Sequence, residues 1–376
     1  MKIAVPLERE PGEGRVAATP DTVKKFKALG FDVAVEAGAG VKSRITDAEY
    51  EAAGATIVAT AAEASAGADI VLKVRRPTGE EAGLAPAGSL VIGTLDPHGH
   101  KEAIQAIADA KVSAFAMEFM PRITRAQVMD VLSSQANLAG YQAVIDAAAE
   151  YDRAFPMMMT AAGTVSAAKV FVMGAGVAGL QAIATARRLG AIVTATDVRP
   201  AAKEQVASLG AKFIAVEDDE FKQAETAAGY AKPMSAEYQA KQAALVADHI
   251  KKQDIVITTA LIPGRPAPKL VSAEMVASMK PGSVLVDLAV ERGGNVAGAV
   301  AGEVAEVNGV KIVGYLNVPG RIAASASLLY ARNLYAFVET LVDKKTKTLA
   351  VNWDDELVKA TLVTKDGAIV HPALQN

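Results

Sequence analysis

The sequence predicts an α/β protein built on two doubly wound parallel sheets, and three observations lead to this fold class. The chain has 376 residues, which is too long for one typical core and suits two or three domains. Short apolar runs alternate with helical segments, a pattern typical of parallel sheets covered by helices on both faces. The stretch Lys169–Pro200 combines a strand, a glycine turn, a helix and a second strand in one unit.

Two series of apolar runs give the strands of the two sheets. In the first series we predict strands at Lys2–Pro6, Asp32–Glu36, Ile70–Val74, Leu90–Ile92 and Ser113–Ala116. In the second we predict strands at Val170–Met173, Ile192–Thr196, Lys212–Ala215, Ile255–Thr258, Ser283–Asp287 and Val310–Val313. Helices are predicted at Asp21–Leu29, Thr124–Glu150 and Ala323–Val342. These elements predict two Rossmann-like domains separated by a ligand cleft, residues 1–133 with 320–376 and residues 134–319.

Composition and charge exclude several classes of protein. Hydrophobic residues make up 51% of the chain and charged residues 22%, as expected for a globular protein. The net charge of −3 gives no reason to expect a nucleic-acid partner. The chain has no cysteine, hence no disulfide and no thiol nucleophile. We find no apolar stretch of about 18 residues and no signal peptide, so we expect no membrane span. No cluster of His and carboxylates has metal-ligand spacing, so we expect no metal.

The glycine turn has the spacing of a dinucleotide-binding fingerprint. Gly174, Gly176 and Gly179 follow the first strand of the unit in G-x-G-x-x-G order, and Asp197 follows the second. We expect Gly174 to permit a tight turn, Gly176 to let the backbone approach a pyrophosphate, and Gly179 to bring the helix close to the sheet. Asp197 favours NAD over NADP because a 2′-phosphate would meet its carboxylate, and nearby Arg199 weakens this preference. The alternative is a turn that only packs a βαβ unit.

A long polar connection, Glu217–Gln239, separates a predicted strand from the helix that leads to His249. Connections of this length are usually functional or mobile. Tyr230 and Met234 are the side chains in it best suited to cover an aromatic ligand. The alternative is a solvated insertion without a role.

Polar residues also recur every three or four positions at Gln127, Asp130, Ser133 or Ser134, and Asn137. On a helix they would form one stripe. Together with Arg122 they supply both the donors and the acceptors that a carboxamide needs. The alternative is an ordinary solvated helix face.

Two further segments lie where parallel strands end, which is where open α/β sheets bind ligands. Leu261 lies in a turn after one predicted strand, and we expect it to line an adenine or nicotinamide pocket. Glu291 follows another predicted strand, ahead of Gly293–Gly294. Both segments are equally compatible with plain turns.

These motifs give the chain a resemblance to a known family. Over essentially its whole length it resembles the NAD(H)-binding component, domain I, of proton-translocating nicotinamide nucleotide transhydrogenases. The most specific segment is RITRAQVMDVLSSQANLAGYQAV, Arg122–Val144, and the GAGVAG turn and Asp197 also match. Related alanine dehydrogenases share segments similar to Glu13–Pro20 and Ile262–Pro268.

The resemblance implies two sets of site residues. The groups expected at the nicotinamide are Arg122, Gln127, Asp130 and Ser133. The residues expected to bind the cofactor are Gly174, Ala175, Gly176, Val177, Gly179, Asp197, Val198, Arg199, Tyr230, Met234, Ala260 and Leu261.

The resemblance also implies an activity and partners. The activity would be that of an NAD(P)+ transhydrogenase of the Si-specific/proton-translocating type, active only with partner subunits. Hydride would pass between NAD(H) on this chain and NADP(H) on a partner, and membrane-spanning subunits would couple the transfer to proton movement. The chain would be a soluble homodimer, peripheral at the cytoplasmic face of the membrane.

Two other classes of function stay open. An alanine dehydrogenase would need a titratable group near the ring. The resemblance to that branch matches Arg15 and Lys73 to its substrate arginine and lysine, but Asp96 takes the histidine position, with His98 two residues on, and Glu291 takes the aspartate position. For Lys73, Arg75 and Arg76 a solvated basic strand end is the simpler expectation. The third class is a non-catalytic NAD-sensing module.

Overall fold

The computed structural model describes residues 1–224, 234–262 and 264–375. The chain divides into two compact units: unit 1 contains Met1–Gln135 and Pro319–Asn376, and unit 2 contains Ala136–Val318. Each unit is built on one large sheet with helices on both faces, so the predicted α/β class is confirmed.

The described elements follow one another in βα alternation through most of the chain. The strands are β1 (Lys2–Val5), β2 (Asp32–Glu36), β3 (Thr56–Val58), β4 (Ile70–Leu72), β5 (Leu90–Gly93), β6 (Ser113–Ala116), β7 (Met158–Thr160), β8 (Gly163–Val165), β9 (Lys169–Met173), β10 (Ile192–Thr196), β11 (Lys212–Phe213), β12 (Ile255–Thr258), β13 (Val284–Asp287), β14 (Val304–Val307), β15 (Val310–Val313), β16 (Val342–Asp343), β17 (Thr348–Leu349), β18 (Leu362–Lys365) and β19 (Ala368–Ile369). The α-helices are α1 (Pro20–Ala28), α2 (Asp47–Ala52), α3 (Ala61–Ser65), α4 (Gly79–Gly83), α5 (Lys101–Asp109), α6 (Val131–Glu150), α7 (Val177–Arg188), α8 (Ala202–Ser208), α9 (Asp219–Lys222), α10 (Ala236–Ile250), α11 (Ala273–Ala277), α12 (Ala323–Thr340) and α13 (Glu356–Thr361).

The sheet of unit 1 has the order β19-β18-β6-β5-β4-β1-β2-β3. Its strands are parallel from β6 to β3, and the strands from the end of the chain, β18 and β19, add to β6 in antiparallel fashion. Successive residues of β1 face opposite sides: Ile3 packs in the core that contains Phe26 and Tyr330, and Ala4 packs in the core that contains Ile104. This continuous burial of apolar residues is why the central strands read as unbroken hydrophobic runs.

The sheet of unit 2 has the order β11-β10-β9-β12-β13-β15-β14, and every pair except β14 with β15 is parallel. The strand order reverses at β9, because β10 lies on one side of it and β12 on the other. The crevice outside the carboxyl ends of such neighbouring strands is the usual ligand site of open α/β sheets. Close helix packing supports this edge, since a Cβ at Gly140 of α6 would lie 2.0 Å from the Ala178 carbonyl oxygen in the first turn of α7.

The prediction of one helix over Thr124–Glu150 was wrong. Residues Thr124–Met129 form 3-10 turns, Asp130 is extended, and α6 begins at Val131. The physical reason is the Asp130 side chain, which accepts a hydrogen bond from the Ser133 backbone N–H at 2.8 Å and so starts a new helix. Gln127 therefore does not lie on the same helical stripe as Ser133 and Asn137.

A hairpin of β7 and β8 was not predicted from the sequence. It pairs Met158 with Val165 and Thr160 with Gly163, and all six of its strand residues are exposed. Its apolar side chains cover no core of unit 2, and Met159 is 71% exposed. Periodicity could not reveal it because strand signals come from burial, and this hairpin has none within its own chain.

Candidate functional site

The glycine turn after β9 has the geometry that each of its glycines was expected to provide. Gly174 has φ +102°, a conformation that L-residues rarely adopt. A Cβ at Gly179 would lie 1.7 Å from the Gly174 carbonyl oxygen, so α7 packs directly on the turn. By contrast, a Cβ at Gly176 would meet no atom of the described residues within 4 Å. Two of the three glycines are therefore required by the fold, and the third faces open space.

The amino end of α7 is suited to hold an anion. The helix starts after Gly176 and spans twelve residues, Val177–Arg188. Within the described parts of the chain no side chain caps it, and its first turn carries no acidic residue. The first backbone N–H groups of a helix have no partner within the helix and carry the positive end of its dipole. A phosphate at Gly176 would thus meet free donors and no competing charge.

Asp197 lies directly after β10 and is tied to the same turn. Its side chain is 7% exposed, and its Oδ2 accepts a hydrogen bond from the Ala175 N–H at 2.7 Å. Arg199 holds the same carboxylate: its backbone N–H and its Nε both donate to Oδ1 at 2.9 Å, and its Nη2 donates to Oδ2 at 3.1 Å. The Arg199 Nη2 also donates to the Ala175 carbonyl oxygen at 3.2 Å. The predicted ribose acid is therefore placed beside the predicted phosphate turn.

Exposed apolar side chains gather at the same edge of the unit 2 sheet. Val177, Val198, Leu261 and Leu316 follow β9, β10, β12 and β15 respectively, at the carboxyl ends of parallel strands. Val198 is 53% exposed and Leu261 is 52% exposed. Apolar walls around a few well-placed polar groups are typical of small-ligand sites.

Sequence reasoning missed two residues that hold this edge in place. The fully buried Asn295 pairs with both backbone groups of Ala260: its Oδ1 accepts the N–H at 3.1 Å, and its Nδ2 donates to the carbonyl oxygen at 2.9 Å. The Thr259 hydroxyl donates to the Gly174 carbonyl oxygen at 3.1 Å, so it joins the β12 loop to the glycine turn. Both contacts link residues distant in the chain, and no local motif announces them.

The long polar connection is described only at its two ends. Tyr230 lies outside the described residues. Met234 is half-buried just before α10, and its carbonyl oxygen accepts a hydrogen bond from Gln239 at 2.8 Å. The Gln242 amide of α10 donates to the Thr196 hydroxyl at the end of β10, at 3.1 Å. The amino-terminal half of α10 is thereby held at the carboxyl end of β10.

In unit 1, the predicted nicotinamide residues lie on one exposed loop. Arg122 and Gln127 are exposed, and Asp130 and Ser133 are half-buried. Asp130 accepts hydrogen bonds from both the backbone N–H and the hydroxyl of Ser133, at 2.8 and 2.5 Å. Asp130 and Ser133 thus form one rigid pair at the start of α6, and Gln127 lies in the 3-10 turns before it.

Two anchors from the end of the chain fix this loop, and neither was predicted. In α12, the Asn333 Nδ2 donates to the Val128 carbonyl oxygen at 2.8 Å, and the Asn333 Oδ1 accepts from the Ser134 hydroxyl at 2.7 Å. On the outer side, the guanidinium of Arg125 binds both oxygens of Asp355, at 2.8 and 2.9 Å. The loop is therefore held at both of its faces.

The expectation of a solvated basic strand end after β4 was wrong. Lys73 is only 2% exposed, and its Nζ lies 3.2 Å from carboxylate oxygens of both Glu8 and Glu81. Arg75 donates from Nε to Glu13 at 2.7 Å. Burial of charged groups is tolerated when they are paired, which is what these contacts achieve.

Arg15, the matched substrate arginine of the dehydrogenase branch, is also paired. Its Nε and Nη2 bind the Glu13 carboxylate at 2.8 and 2.7 Å, and its Nη1 donates to Gln135 at 2.8 Å. Burial acts to raise the pKa of Glu13, but the hydrogen bonds and charges of Arg15 and Arg75 outweigh it and lower that pKa to about 2. Glu13 is therefore a carboxylate at every physiological pH.

Asp96, at the histidine position of that branch, has a left-handed backbone with φ +45°. Its N–H and that of Leu95 donate to the Glu118 carboxylate, and its carbonyl oxygen accepts from Arg76 at 2.7 Å. Burial raises the pKa of Glu118 to about 7. The Asp96 carboxylate lies 3.7 Å from His100 Nδ1, so this carboxylate is a surface group beside a half-buried acid.

The described residues contain no group of His, Asp and Glu side chains arranged to hold a metal ion. In the parts of the chain that are described, every helix is too short or too polar to cross a bilayer.

The sheet order, the glycine turn and the acid after β10 define a protein of the Rossmann class that binds dinucleotides. Comparison with protein families makes this more specific. Residues 4–139 match the model of the alanine dehydrogenase/PNT N-terminal domain, and residues 143–372 match that of the alanine dehydrogenase/PNT C-terminal domain. The chain therefore belongs to the alanine dehydrogenase/PNT family.

Within the family, the similarity is greatest to transhydrogenase proteins. The first of the separately encoded pieces of NAD(P) transhydrogenase subunit alpha from Rhodospirillum rubrum is 59% identical across 100% of this chain and 99% of its own length. The crystal structure of transhydrogenase from Sinorhizobium meliloti is 68% identical, has a TM-score of 0.91 and matches 98% of this chain and 100% of its own. Alanine dehydrogenase of Methanococcus maripaludis is 31% identical across 100% of this chain and 95% of its own length.

Proposed function

We propose that this protein is the NAD(H)-binding subunit of a proton-translocating transhydrogenase. The observation that carries the proposal is the edge of unit 2, where Gly176 faces open space, the amino end of α7 is uncapped and Asp197 is hydrogen-bonded to Ala175. This edge fits a pyrophosphate and a ribose, and Val198 and Leu261 offer an apolar surface to the bases.

The loop of unit 1 fits the other end of the nucleotide. We propose that Arg122, Gln127, Asp130 and Ser133 hold the nicotinamide carboxamide, because together they supply donors and acceptors. Hydride transfer between two nicotinamides exchanges no proton at the reacting carbons, so it needs no general acid or base. The work of these side chains is then to orient the ring and to exclude water, and a loop held by Asn333 and Arg125 is suited to that work.

The partner chains follow from the same proposal. NADP(H) would be bound on a second subunit, and membrane-spanning subunits would couple hydride transfer to proton movement. This chain would work at the cytoplasmic face of the membrane through those subunits. Support comes from the relatives, whose names describe a subunit of a larger transhydrogenase.

A homodimer is the proposed assembly, and the β7–β8 hairpin supports it. A lone two-stranded hairpin is marginally stable in water, and an exposed apolar patch commonly marks an interface. Met157, Met158 and Met159 are all exposed here, next to exposed Val165. A second copy of the chain would bury these side chains.

The decisive binding experiment compares two glycine substitutions that the fold should accept equally. Gly176 and Gly83 both have room for a Cβ among the described residues, and neither has a positive φ. NADH titrations should show that Gly176→Ala weakens NADH binding at least about tenfold, because the added methyl occupies the place of the pyrophosphate. Gly83→Ala should bind NADH as the unsubstituted chain does. Equal affinities for the two variants would argue against the site.

The activity itself is tested in two parallel assays. One supplies NADH, pyruvate and ammonium; the other supplies an NADH analogue, NADP and the isolated NADP(H)-binding component of a related transhydrogenase. Turnover only in the second assay is expected. Turnover in the first would support the alanine dehydrogenase alternative, in which Lys73 and Arg15 would have to release their carboxylate partners. NADH binding without turnover in either assay would favour the NAD-sensing alternative.

A further inference from the structure

The pairing of Asp197 with Arg199 has a property that the fingerprint does not explain. Each oxygen of the Asp197 carboxylate already accepts two hydrogen bonds: Oδ1 from the backbone N–H and Nε of Arg199, and Oδ2 from the Ala175 N–H and Arg199 Nη2. An ionised carboxylate has about four acceptor positions, so this one is full. A ribose hydroxyl can bind Asp197 only if the guanidinium gives up part of its contact.

The Arg199 guanidinium therefore lies beside the position that a ribose would occupy. Its side chain is 30% exposed, so it can move outward without crossing a packed core. Arginine binds phosphate through two parallel hydrogen bonds, and it is the residue that accommodates a 2′-phosphate in many NADP sites. In this chain Asp197 neutralises that cation and occupies its donors.

We propose that Arg199 is a latent anchor for a 2′-phosphate, which Asp197 holds out of use. Selectivity for NAD(H) over NADP(H) then has two sources in one ion pair: the carboxylate repels the phosphate, and it also captures the only nearby group that would attract it among the described residues. This inference rests on the proposed function, because it concerns the ribose end of the same nucleotide site. It would keep NADP(H) on the partner subunit and off this one.

The test replaces Asp197 and follows both nucleotides. Asp197→Ser leaves a small polar side chain and releases Arg199; Asp197→Asn is a second variant in case the first folds poorly. NADH affinity should fall about tenfold, and NADPH affinity should rise at least tenfold over the unsubstituted chain, the size expected for a charge-assisted hydrogen bond of about 1.5 kcal/mol or more. The double variant Asp197→Ser/Arg199→Ala should lose the gain in NADPH affinity.

A change of net charge alone must be excluded. Asp248→Ser removes one negative charge from an exposed position on α10, where Asp248 pairs with Lys252 at 2.8 Å. We expect it to leave both affinities as they are in the unsubstituted chain. An equal gain in NADPH affinity in this variant would overturn the proposal.

The outcomes separate this inference from the proposed function. If the unsubstituted chain fails to bind NADH, the proposed function fails. If it binds NADH, and both folded Asp197 variants gain no affinity for NADPH, the latent-anchor proposal is wrong and the proposed function stands. Retention of the gain in the double variant would also overturn it, because Arg199 would then not be the anchor.

Discussion

Asn333 and Ser134 are 199 residues apart in the chain, and the hydroxyl of Ser134 donates a hydrogen bond of 2.7 Å to the Asn333 amide oxygen. The same Asn333 donates its amide N–H to the Val128 carbonyl oxygen at 2.8 Å. One side chain of α12 thus fixes both the 3-10 turns that carry Gln127 and the first turn of α6. The proposed nicotinamide loop owes its shape to a helix that it does not adjoin in sequence.

Removal of this anchor should loosen the loop. Asn333→Ala leaves the Ser134 hydroxyl and the Val128 carbonyl without this partner, which costs about 1–3 kcal/mol of unfolding free energy. We expect partner-dependent hydride transfer to fall at least about tenfold, because small misplacements of reacting groups are costly. Chemical denaturation and the coupled assay measure the two effects. Arg332→Ala, on the exposed side of the same helix, is the control; equal rates in the two variants would contradict the anchor.

Substitution of the loop residues themselves should separate catalysis from binding. Gln127→Ala removes an exposed side chain, so we expect stability within about 0.5 kcal/mol of the unsubstituted chain and a collapse of partner-dependent hydride transfer. NADH affinity should fall less, since most of the nucleotide binds elsewhere. Gln105→Ala on exposed α5 is the matched control. An unchanged rate for Gln127→Ala would remove this residue from the site.

The glycines of the turn should divide by their steric surroundings. Gly179→Ala places a methyl 1.7 Å from the Gly174 carbonyl oxygen, so α7 must move away from the sheet, and we expect a loss of at least about 3 kcal/mol of stability. Gly176→Ala meets open space and should lose no more than about 1 kcal/mol. Thermal and urea unfolding distinguish them; a Gly179→Ala variant as stable as Gly176→Ala would show that the helix does not pack on the turn as described.

The buried acid Glu118 should make the stability of the protein depend on pH near neutrality. Because burial raises its folded pKa to about 7, above the usual 4.5, the folded state binds the proton more tightly than the unfolded state. The stability that this proton gives is present below pH 4.5 and is lost as the pH rises through 7. Urea unfolding between pH 5 and 8 should therefore show a steeper decline for the unsubstituted chain than for Glu118→Gln. Parallel slopes would mean that Glu118 is ionised throughout.

The proposed dimer predicts a specific sensitivity of the hairpin. Met159→Glu puts a charge on its most exposed apolar position and should shift the protein towards monomer in sedimentation experiments. Val41→Glu, an equally polar change at an exposed apolar residue of unit 1, should leave the assembly unchanged. A Met159→Glu variant that sediments like the unsubstituted protein would place the interface elsewhere.

The fold was largely predictable because its strands are buried on both faces and stand out as apolar runs. The glycine turn was predictable for a related reason: Gly174 and Gly179 satisfy steric demands that few other residues meet, so their spacing is visible in the sequence. The start of α6 was misjudged, since Asp130 can lie within a helix or cap one, and only the hydrogen bond from Ser133 decides between them.

The features of the site that sequence reasoning missed have one thing in common, which is contact between distant segments. Asn295 holds Ala260, and Asn333 holds Val128, each through ordinary amide hydrogen bonds. A single asparagine in a loop or helix gives no sign of its partner. Likewise, the apolar run around Lys73 suggested only a strand end, although the side chain is buried against Glu8, far from it in sequence.

The pairing of β18 with β6 has a consequence for how the molecule is made. Ala114 of β6 donates its N–H to the Thr364 hydroxyl of β18 at 3.1 Å, across 250 residues of chain. Unit 2 lies wholly inside that interval and has a continuous sequence, so it can fold while the ribosome is still synthesising the last segment. Until then the nascent amino-terminal strands carry an open β6 edge, the feature of a sheet most prone to pair with other chains. Synthesis of the final residues is thus the step that closes this edge and ends the exposure.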